Sequence, residues 1–175
     1  MTDRLWAPWR IDYILGDKPG GCIFCDKVKQ DRDRDNGILL RGQYAFVMLN
    51  AYPYNPGHVM ISPYDHVDTL EKVPPKSLAE VMELTRLSEM AIRGAVNPNG
   101  FNVGINIGRA AGAGIEEHLH LHLLPRWMGD VNFMPAVAGV HVIPEALLAT
   151  YDKLRPAFDR LDAARRGADG RRGEE

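Results

Sequence analysis

The chain has 175 residues, of which 45% are hydrophobic and 25% charged, and its formal net charge is −2. This length fits one domain with an ordinary core, and the composition is typical of a globular protein rather than a disordered or fibrous one. A charge this close to neutral argues against broad electrostatic binding to nucleic acid or to an anionic membrane surface, so neither is expected as a partner.

The first twenty residues are predicted to form an arm that packs against the domain, because they carry Trp6, Trp9 and Tyr13. They contain neither a continuous apolar stretch nor a small-residue cleavage site, so no signal peptide is expected. No apolar run in the chain approaches the length of a membrane span. We therefore expect a cytoplasmic protein, in which two cysteines are more typical as thiols or metal ligands than as a disulfide.

The next part of the chain is predicted to contain three strands. Residues 27–37 are charged and break the hydrophobic pattern, which indicates a surface loop. Residues 38–50 then predict two strands joined by a turn, and residues 59–63 predict a third strand after a tight connection at 52–58.

The longest predicted helix begins after Pro74-Pro75 and ends near Val96. Ser77 followed three residues later by Glu80 is the pattern of a capping box at a helix start. The helix is expected to stop there because a turn-forming Asn-Pro-Asn-Gly segment follows.

The second half of the chain predicts a hairpin and a last helix. Strands are expected at 101–107 and 116–124, with a glycine-rich loop between them, and a helix is expected from Pro144 onward. Charged residues dominate after Phe158, so residues 1–158 are predicted to form the domain and residues 159–175 a disordered tail. The fold class is therefore α+β, a mostly antiparallel sheet with one long helix and a C-terminal helix.

Three of the six histidines occur at alternate positions in HLHLHLLPRW, residues 118–127. A period of two predicts a strand with His118, His120 and His122 on one face and leucines on the other. Imidazole can act as nucleophile, acid, base or metal ligand near neutral pH, so this row predicts a functional site. His58 and His141 occur singly and are interpreted as structural.

The glycine-rich loop before the histidines is a candidate phosphate-binding loop. Gly108, Gly112 and Gly114 stand among alanines, so backbone N–H groups could approach a ligand without interference from side chains. The segment is neither a Walker A loop nor a G-x-G-x-x-G motif.

The two cysteines form the motif Cys22-x-x-Cys25. Such a pair can be redox-active, half of a zinc site, or neither. Tetrahedral zinc needs two further nitrogen or sulfur ligands, and histidines must supply them here, with His66 and His118 as candidates.

HLHLHLL matches the His-φ-His-φ-His-φ-φ signature of the histidine triad (HIT) superfamily of nucleotidyl hydrolases and transferases. LNAYPYNPGHVMISPYDH (49–66) is similar to the family's ribose-binding strand and Gly-His turn. GFNVGINIGRAAGAGIEEHLHLHLLPRWMGDVNF (100–133) resembles the branch that includes diadenosine tetraphosphate phosphorylases. The resemblance covers roughly residues 4 to 155 and implies a HIT-like fold that usually assembles as a homodimer.

The resemblance also implies how the histidines divide their work. His120 would be the nucleophile that attacks the α-phosphorus of a nucleotide, with its Nδ1–H held by a backbone carbonyl. His122 would contact the phosphate oxygens or the bridging oxygen. In family members with a C-x-x-C, the first triad histidine binds a structural zinc ion together with both cysteines and one more histidine. The corresponding residues here are Cys22, Cys25, His66 and His118.

Substrate contacts are implied in the same way. They are Asn50 at the ribose hydroxyls, Phe46 and Leu49 near the base, Asn106 with Gly112, Ala113 and Gly114 at the phosphates, and Trp127 at a second nucleotide. Many family members carry Gln or Ser where this chain has Gly114, so one side-chain phosphate contact is missing. Trp127 could equally be a plain core aromatic.

The expected function is cleavage of diadenosine tetraphosphate or a related dinucleoside polyphosphate, by phosphorolysis or hydrolysis, through a covalent nucleotidyl-histidine intermediate. One alternative is an enzyme of the same fold that acts on a nucleoside phosphoramidate or a sugar nucleotide. Another is a nucleotide-sensing module with little turnover.

Overall fold

A five-stranded antiparallel sheet lies at the centre of the protein, in a computed structural model that describes residues 21–130 and 145–172. The strand order is β1-β2-β3-β5-β4. The strands are β1 (Ile38–Arg41), β2 (Ala45–Leu49), β3 (Val59–Pro63), β4 (Gly100–Ile105) and β5 (Leu121–Arg126). The predicted antiparallel α+β fold is confirmed. The N-terminal arm, His141 and the predicted helix start at Pro144 lie outside the described residues.

Four α-helices accompany the sheet within the described ranges. They are α1 (Ile23–Val28), α2 (Asp33–Asn36), α3 (Pro75–Val96) and α4 (Leu147–Arg172). The long helices α3 and α4 pack on one face of the sheet, and the phenylalanine of α1 packs on the other. No helix in these ranges is long and apolar enough to cross a membrane.

The alternation of side chains along the strands divides the core into two layers. On the face covered by α3 and α4, the strands contribute apolar residues from every second position; among them are Val47, Leu49, Val59, Ile61, Leu121 and Leu123. The opposite face carries a smaller apolar cluster of Phe24, Ile38, Phe46, Met48 and Met60. This second face also carries the histidines, so the functional side chains stand on a sheet whose other side is held by the main core.

The charged segment 27–37 contains a short helix, and so its prediction as a loop is wrong in part. Arg41 explains why the helix forms against the sheet. Its guanidinium donates to Asp33 at 2.7 Å and to the carbonyl of Val28 at 2.8 Å, which ties both short helices to β1.

Ser77 and Glu80 do not form a capping box, although α3 begins where the sequence predicts. No side chain caps its first residue. The Ser77 hydroxyl instead donates to Asp65 at 2.9 Å. The Glu80 carboxylate accepts from the backbone N–H groups of the β1–β2 turn, those of Gln43, Tyr44 and Ala45. Both side chains therefore stabilise loops next to the helix.

Helix α4 continues to Arg172, so the prediction of a disordered tail is wrong for residues 159–172. Charges in this segment form ion pairs along the helix, such as Arg155–Asp159 at 2.7 Å and Arg165–Asp162 at 2.9 Å. Arg165 also reaches Glu80 at 3.4 Å, which anchors the helix to α3. Composition alone suggested disorder because it does not reveal which charges pair.

Candidate functional site

The first two histidines of the row lie just before β5, and the third lies within it. Before β5, this segment hydrogen-bonds to the chain around the end of β3 and is not part of the strand ladder. Leu119 N–H donates to the Val67 carbonyl at 2.6 Å, and the Ser62 hydroxyl donates to the Leu119 carbonyl at 2.9 Å. The predicted alternation is confirmed, while the paired strand begins later than predicted, at Leu121.

His120 is held in one tautomer by the backbone. Its Nδ1 lies 2.8 Å from the carbonyl oxygen of His118. A carbonyl can only accept a hydrogen bond, so Nδ1 carries the proton and Nε2 keeps its lone pair. Burial lowers the pKa of His120 below its usual value, partly offset by that hydrogen bond. The imidazole is therefore neutral near pH 7, and a neutral imidazole is the nucleophilic form.

His122 is oriented by a second histidine, His58. The His58 Nδ1 accepts from the Tyr54 backbone N–H at 3.2 Å and from the Asn50 side-chain amide at 3.3 Å. Its Nε2 therefore carries the proton and donates to His122 Nδ1, 2.9 Å away. As a result His122 presents its own Nε2–H as a donor. Burial, followed by the neighbouring histidines, lowers the pKa of His58 to about 3 and that of His122 to about 4.

The structure thus brings His58, which the sequence analysis interprets as structural, into contact with the histidine row. Its ring is fully buried and lies 5.1 Å from the ring of His122. The antiparallel register that pairs Met60 of β3 with His122 of β5 brings the residue before β3 to the histidine face. The spacing of a single chain does not give that register, but the Gly57-His58 turn next to a strand is the signal that could have found it.

Acid is expected to destabilise the fold partly through His58. The unfolded chain protonates this residue near its ordinary pKa of 6.5, whereas the folded protein does so only near pH 3. Protons therefore favour the unfolded state as the pH falls below 6.5. The matched variant is His58→Gln, whose amide still donates to His122 but does not titrate. When the pH falls from about 7.5 to about 5, we expect the unfolding free energy of wild type to decrease by about 2 kcal/mol more than that of the variant. Urea unfolding at both pH values measures this difference, and parallel losses in the two proteins would contradict it.

Two cysteines and two histidines converge at the other end of the histidine row. Their potential ligand atoms, on Cys22, Cys25, His66 and His118, all lie within 4.8 Å of one another. His118 Nδ1 lies 3.2 Å from the sulfur of Cys22 and 3.5 Å from that of Cys25, while His66 Nδ1 lies 3.4 Å from Cys25. In tetrahedral zinc sites a sulfur and a nitrogen ligand are separated by about 3.6 Å. The donor set and its spacing therefore fit a zinc ion.

The surroundings of this cluster favour a metal site over a redox pair. His118 Nε2 lies 2.9 Å from the Pro63 carbonyl, so Nε2 is protonated and the Nδ1 lone pair points at the sulfurs. Both cysteines are free thiols. Burial, and then the adjacent Cys22, raises the pKa of the Cys25 thiol. Reactive redox cysteines have lowered pKa values, and the Cys25 thiol lacks this feature.

The structure places two of the predicted substrate residues beside the histidines. Asn50 follows β2, and its side chain lies between His58 and the backbone N–H of Tyr52, which donates to it at 2.9 Å. Asn106 directly follows β4, whose last residue, Ile105, pairs with Leu121, the residue between His120 and His122. Both are half-buried, which leaves part of each side chain accessible.

The glycine-rich loop is open, but it offers fewer donors than predicted. The N–H of Gly112 donates to the Arg109 carbonyl at 3.0 Å, and that of Ala113 donates to the Gly108 carbonyl at 3.3 Å. These two donors close a short turn in which Gly112 has a φ of 86°, a conformation that favours glycine. A Cβ atom at Gly114 would meet nothing within 4 Å. The loop can therefore approach a phosphate closely. Of the three predicted phosphate contacts in it, Gly112, Ala113 and Gly114, the last is the one whose backbone N–H donates to no described residue.

Three predicted substrate residues do not line an open site at the histidines. Phe46 is on the histidine face, but it is completely buried and stacks on Tyr64 at 5.3 Å. Leu49 belongs to the core on the opposite face. Trp127 donates from its indole to the Val96 carbonyl at 3.4 Å and lines a cavity of about 690 Å³ beside α3 and α4. The resemblance supplied these roles without showing which face of the sheet each side chain takes.

Comparisons with known proteins found a matching family model, a curated relative and solved structures of the same fold. The model of the HIT domain matches residues 32–128. The AP-4-A phosphorylase of Mycobacterium tuberculosis is 37% identical over 158 residues, which cover 86% of this chain and 81% of that protein. A hypothetical histidine triad nucleotide-binding protein of Sulfolobus tokodaii superposes with a TM-score of 0.65 at 26% identity, over 80% of this chain and 93% of that one. A zinc-bound histidine triad protein of Mycobacterium smegmatis has the same TM-score at 24% identity, over 82% and 97% of the two chains, and shows the shared fold.

Proposed function

The chain belongs to the HIT-domain family of nucleotidyl hydrolases and transferases, and we propose that it transfers a nucleotidyl group through His120 by way of a covalent intermediate. One observation carries this proposal. His120 is a neutral, buried imidazole whose Nδ1–H is fixed on the His118 carbonyl, so that Nε2 alone is free to attack phosphorus.

In the first step the lone pair of His120 Nε2 attacks the α-phosphorus of the substrate. A P–N bond forms while the bond between that phosphorus and the bridging oxygen breaks. The electron pair remains on the bridging oxygen, which departs with the rest of the polyphosphate chain. His122 stands next in the row, and its Nε2–H, fixed by His58, donates to the oxygen on which negative charge develops. The hydrogen bond from His58 to His122 thus fixes a donor at the leaving group.

In the second step an acceptor oxygen attacks the same phosphorus, and the P–N bond breaks. Its electron pair returns to His120 Nε2, which restores the neutral imidazole. Water as acceptor loses a proton to the solvent and releases the nucleoside monophosphate, whereas inorganic phosphate releases the diphosphate. The open loop around Gly114 leaves room for a free phosphate ion beside the intermediate.

We propose diadenosine tetraphosphate as the substrate and phosphate as the acceptor. The support is the 37% identity to an AP-4-A phosphorylase over most of both chains. With this substrate His120 takes AMP and ATP leaves. The products then separate the two reactions, because phosphorolysis gives ATP and ADP while hydrolysis gives ATP and AMP.

The test is chromatography of the products formed with and without added phosphate. We expect ADP only when phosphate is present. AMP formed at an unchanged rate in both reactions would make the protein a hydrolase. Preferred cleavage of a nucleoside phosphoramidate or a sugar nucleotide offered in parallel would overturn the proposed substrate but keep the role of His120.

We propose that Cys22, Cys25, His66 and His118 hold one structural zinc ion. Such an ion would join α1 to the chain around the end of β3 and to the first histidine of the row. The carbonyl of His118 is the group that orients His120, so fixing His118 also fixes the nucleophile. The expected effect of zinc on activity is therefore indirect, through folding and orientation.

We also propose that the protein forms a homodimer through β4. This strand is at the edge of the sheet, and one side of its backbone pairs with β5. Val103, at its centre, is 54% exposed. An open strand edge with an exposed apolar side chain is suited to pairing with a second copy.

Replacing Val103 with lysine is expected to shift the protein from dimer to monomer, because a charge at the centre of the edge opposes strand pairing. Light scattering coupled to size exclusion measures the mass in solution. Lysine at Met82, an apolar residue of α3 with a similar exposure of 53%, is the matched control for added charge. A wild-type protein that is monomeric at all concentrations would contradict the proposal.

A further inference from the structure

An aromatic ring lies beside each end of the histidine row, and the two rings differ in their exposure to solvent. At the end near the cysteines, Phe24 lies 4.8 Å from the ring of His120 and is completely buried. At the other end, Tyr54 lies 4.9 Å from the ring of His58 and 6.3 Å from that of His122. Tyr54 is 52% exposed. It is therefore the open aromatic surface at the histidine cluster within the described residues.

The position of Tyr54 is fixed by the loop that carries it. Its backbone N–H donates to His58 Nδ1 at 3.2 Å. The next residue, Asn55, donates to the Pro125 carbonyl at 3.2 Å and to Asp130 at 2.9 Å. Gly57 has a φ of 81°, and a Cβ atom there would lie 3.2 Å from Pro125, so the turn packs closely on β5. The ring stands on a rigid support and needs little ordering to bind a ligand.

Tyr54 adjoins the histidine that we assign to the leaving group. Polyphosphate that departs past His122 passes this ring, and in a dinucleoside polyphosphate the departing chain ends in a second nucleoside. Base stacking on an exposed aromatic ring is favourable and tolerates any base, because every base has a π-face. Trp127, the aromatic that the resemblance assigns to the second nucleotide, lies beside α3 and α4 instead.

We propose that Tyr54 is a specificity-determining residue whose ring stacks on the base of the departing nucleoside and so selects dinucleoside over mononucleoside polyphosphates. This inference rests on the proposed function. It adds to that function a residue that distinguishes dinucleoside from mononucleoside polyphosphates. The phenol hydroxyl makes no hydrogen bond to any described residue, so the ring is the feature that acts.

The test compares two substrates with the same phosphate chain. Diadenosine tetraphosphate has a second adenosine, and adenosine 5′-tetraphosphate has none. Tyr54→Ala is expected to lower kcat/KM for the first by roughly 10- to 100-fold, the range of one lost base–aromatic stack. The same variant should leave the second unchanged, measured as kcat/KM or, if turnover is slow, as an inhibition constant. Tyr54→Phe, which keeps the ring, should match wild type with both compounds.

Three results would overturn the inference. Equal losses on both compounds would mean that Tyr54 only supports His58 or contacts the retained nucleotide. Unchanged values in Tyr54→Ala would mean that the ring contacts neither. Loss in Tyr54→Phe would assign the effect to the hydroxyl. A wild-type protein that neither cleaves nor binds diadenosine tetraphosphate would overturn the proposed function and this inference together, whereas the first three outcomes leave the role of His120 intact.

Discussion

Replacing His120 with alanine is expected to lower kcat for diadenosine tetraphosphate by on the order of 10⁴- to 10⁶-fold, the scale of losing a covalent nucleophile. Nε2 of this residue forms the bond to phosphorus, and no other imidazole of the row has the same freedom. His118 faces the cysteines, and His122 accepts at Nδ1 from His58, so its Nε2 carries the proton and has no lone pair for attack. Steady-state product formation measures the rate, and equilibrium dialysis with substrate measures binding, which should persist.

His120→Asn is the matched variant for this experiment. Its side-chain amide can still donate to the His118 carbonyl, so it keeps the local hydrogen bond and loses only Nε2. Both variants should be equally inactive while the asparagine variant unfolds closer to wild type. Activity in His120→Asn or His120→Ala within tenfold of wild type would contradict nucleophilic attack by this residue.

Removing the proposed zinc ion is expected to produce the largest loss of stability. Cys22→Ser deletes one of four ligands, and loss of a structural metal destabilises by more than about 4 kcal/mol. In a domain of this size that corresponds to a fall in Tm of roughly 10 °C or more. Elemental analysis of wild type should find about one zinc ion per chain. Differential scanning calorimetry measures the change in Tm.

A chelator separates a metal effect from a packing effect. Chelation should lower the Tm of wild type to near that of Cys22→Ser and leave the variant almost unchanged, because the variant has no complete site to lose. Zinc restored to the chelated wild type should recover its Tm. A metal-free wild type that melts at the same temperature as the untreated protein would contradict the proposed site.

Much of the fold follows from local pattern. The period of two in HLHLHLL places Leu121 and Leu123 in the main core and the histidines on the other face, because a strand alternates its side chains whatever its neighbours are. The boundaries of β3 and α3 can also be predicted from the sequence, since turn-forming residues flank both. The four cysteine and histidine candidates for zinc also lie together, as the interpretation of the C-x-x-C pair as half of a zinc site predicts.

The parts of the site that the sequence does not predict depend on strand register and on the face of the sheet to which each side chain belongs. His58 joins the site only because β3 pairs with β5, and a single chain does not state its strand pairing. Leu49 and Trp127 were assigned to the substrate by resemblance, yet the side chains lie on the helical face. The tail after Phe158 is charged like a disordered segment, but its charges pair along α4 and with α3, which only the three-dimensional arrangement reveals.

The covalent intermediate is tested most directly by the mass of the intact protein. Wild type is mixed briefly with diadenosine tetraphosphate without added phosphate, quenched, and measured by mass spectrometry, with His120→Asn treated identically. Wild type should gain the mass of one adenylyl group, peptide mapping should place it on His120, and the variant should gain nothing. ATP released in a stoichiometric burst with no mass gain in wild type, or an adduct that persists in His120→Asn, would contradict transfer through this histidine.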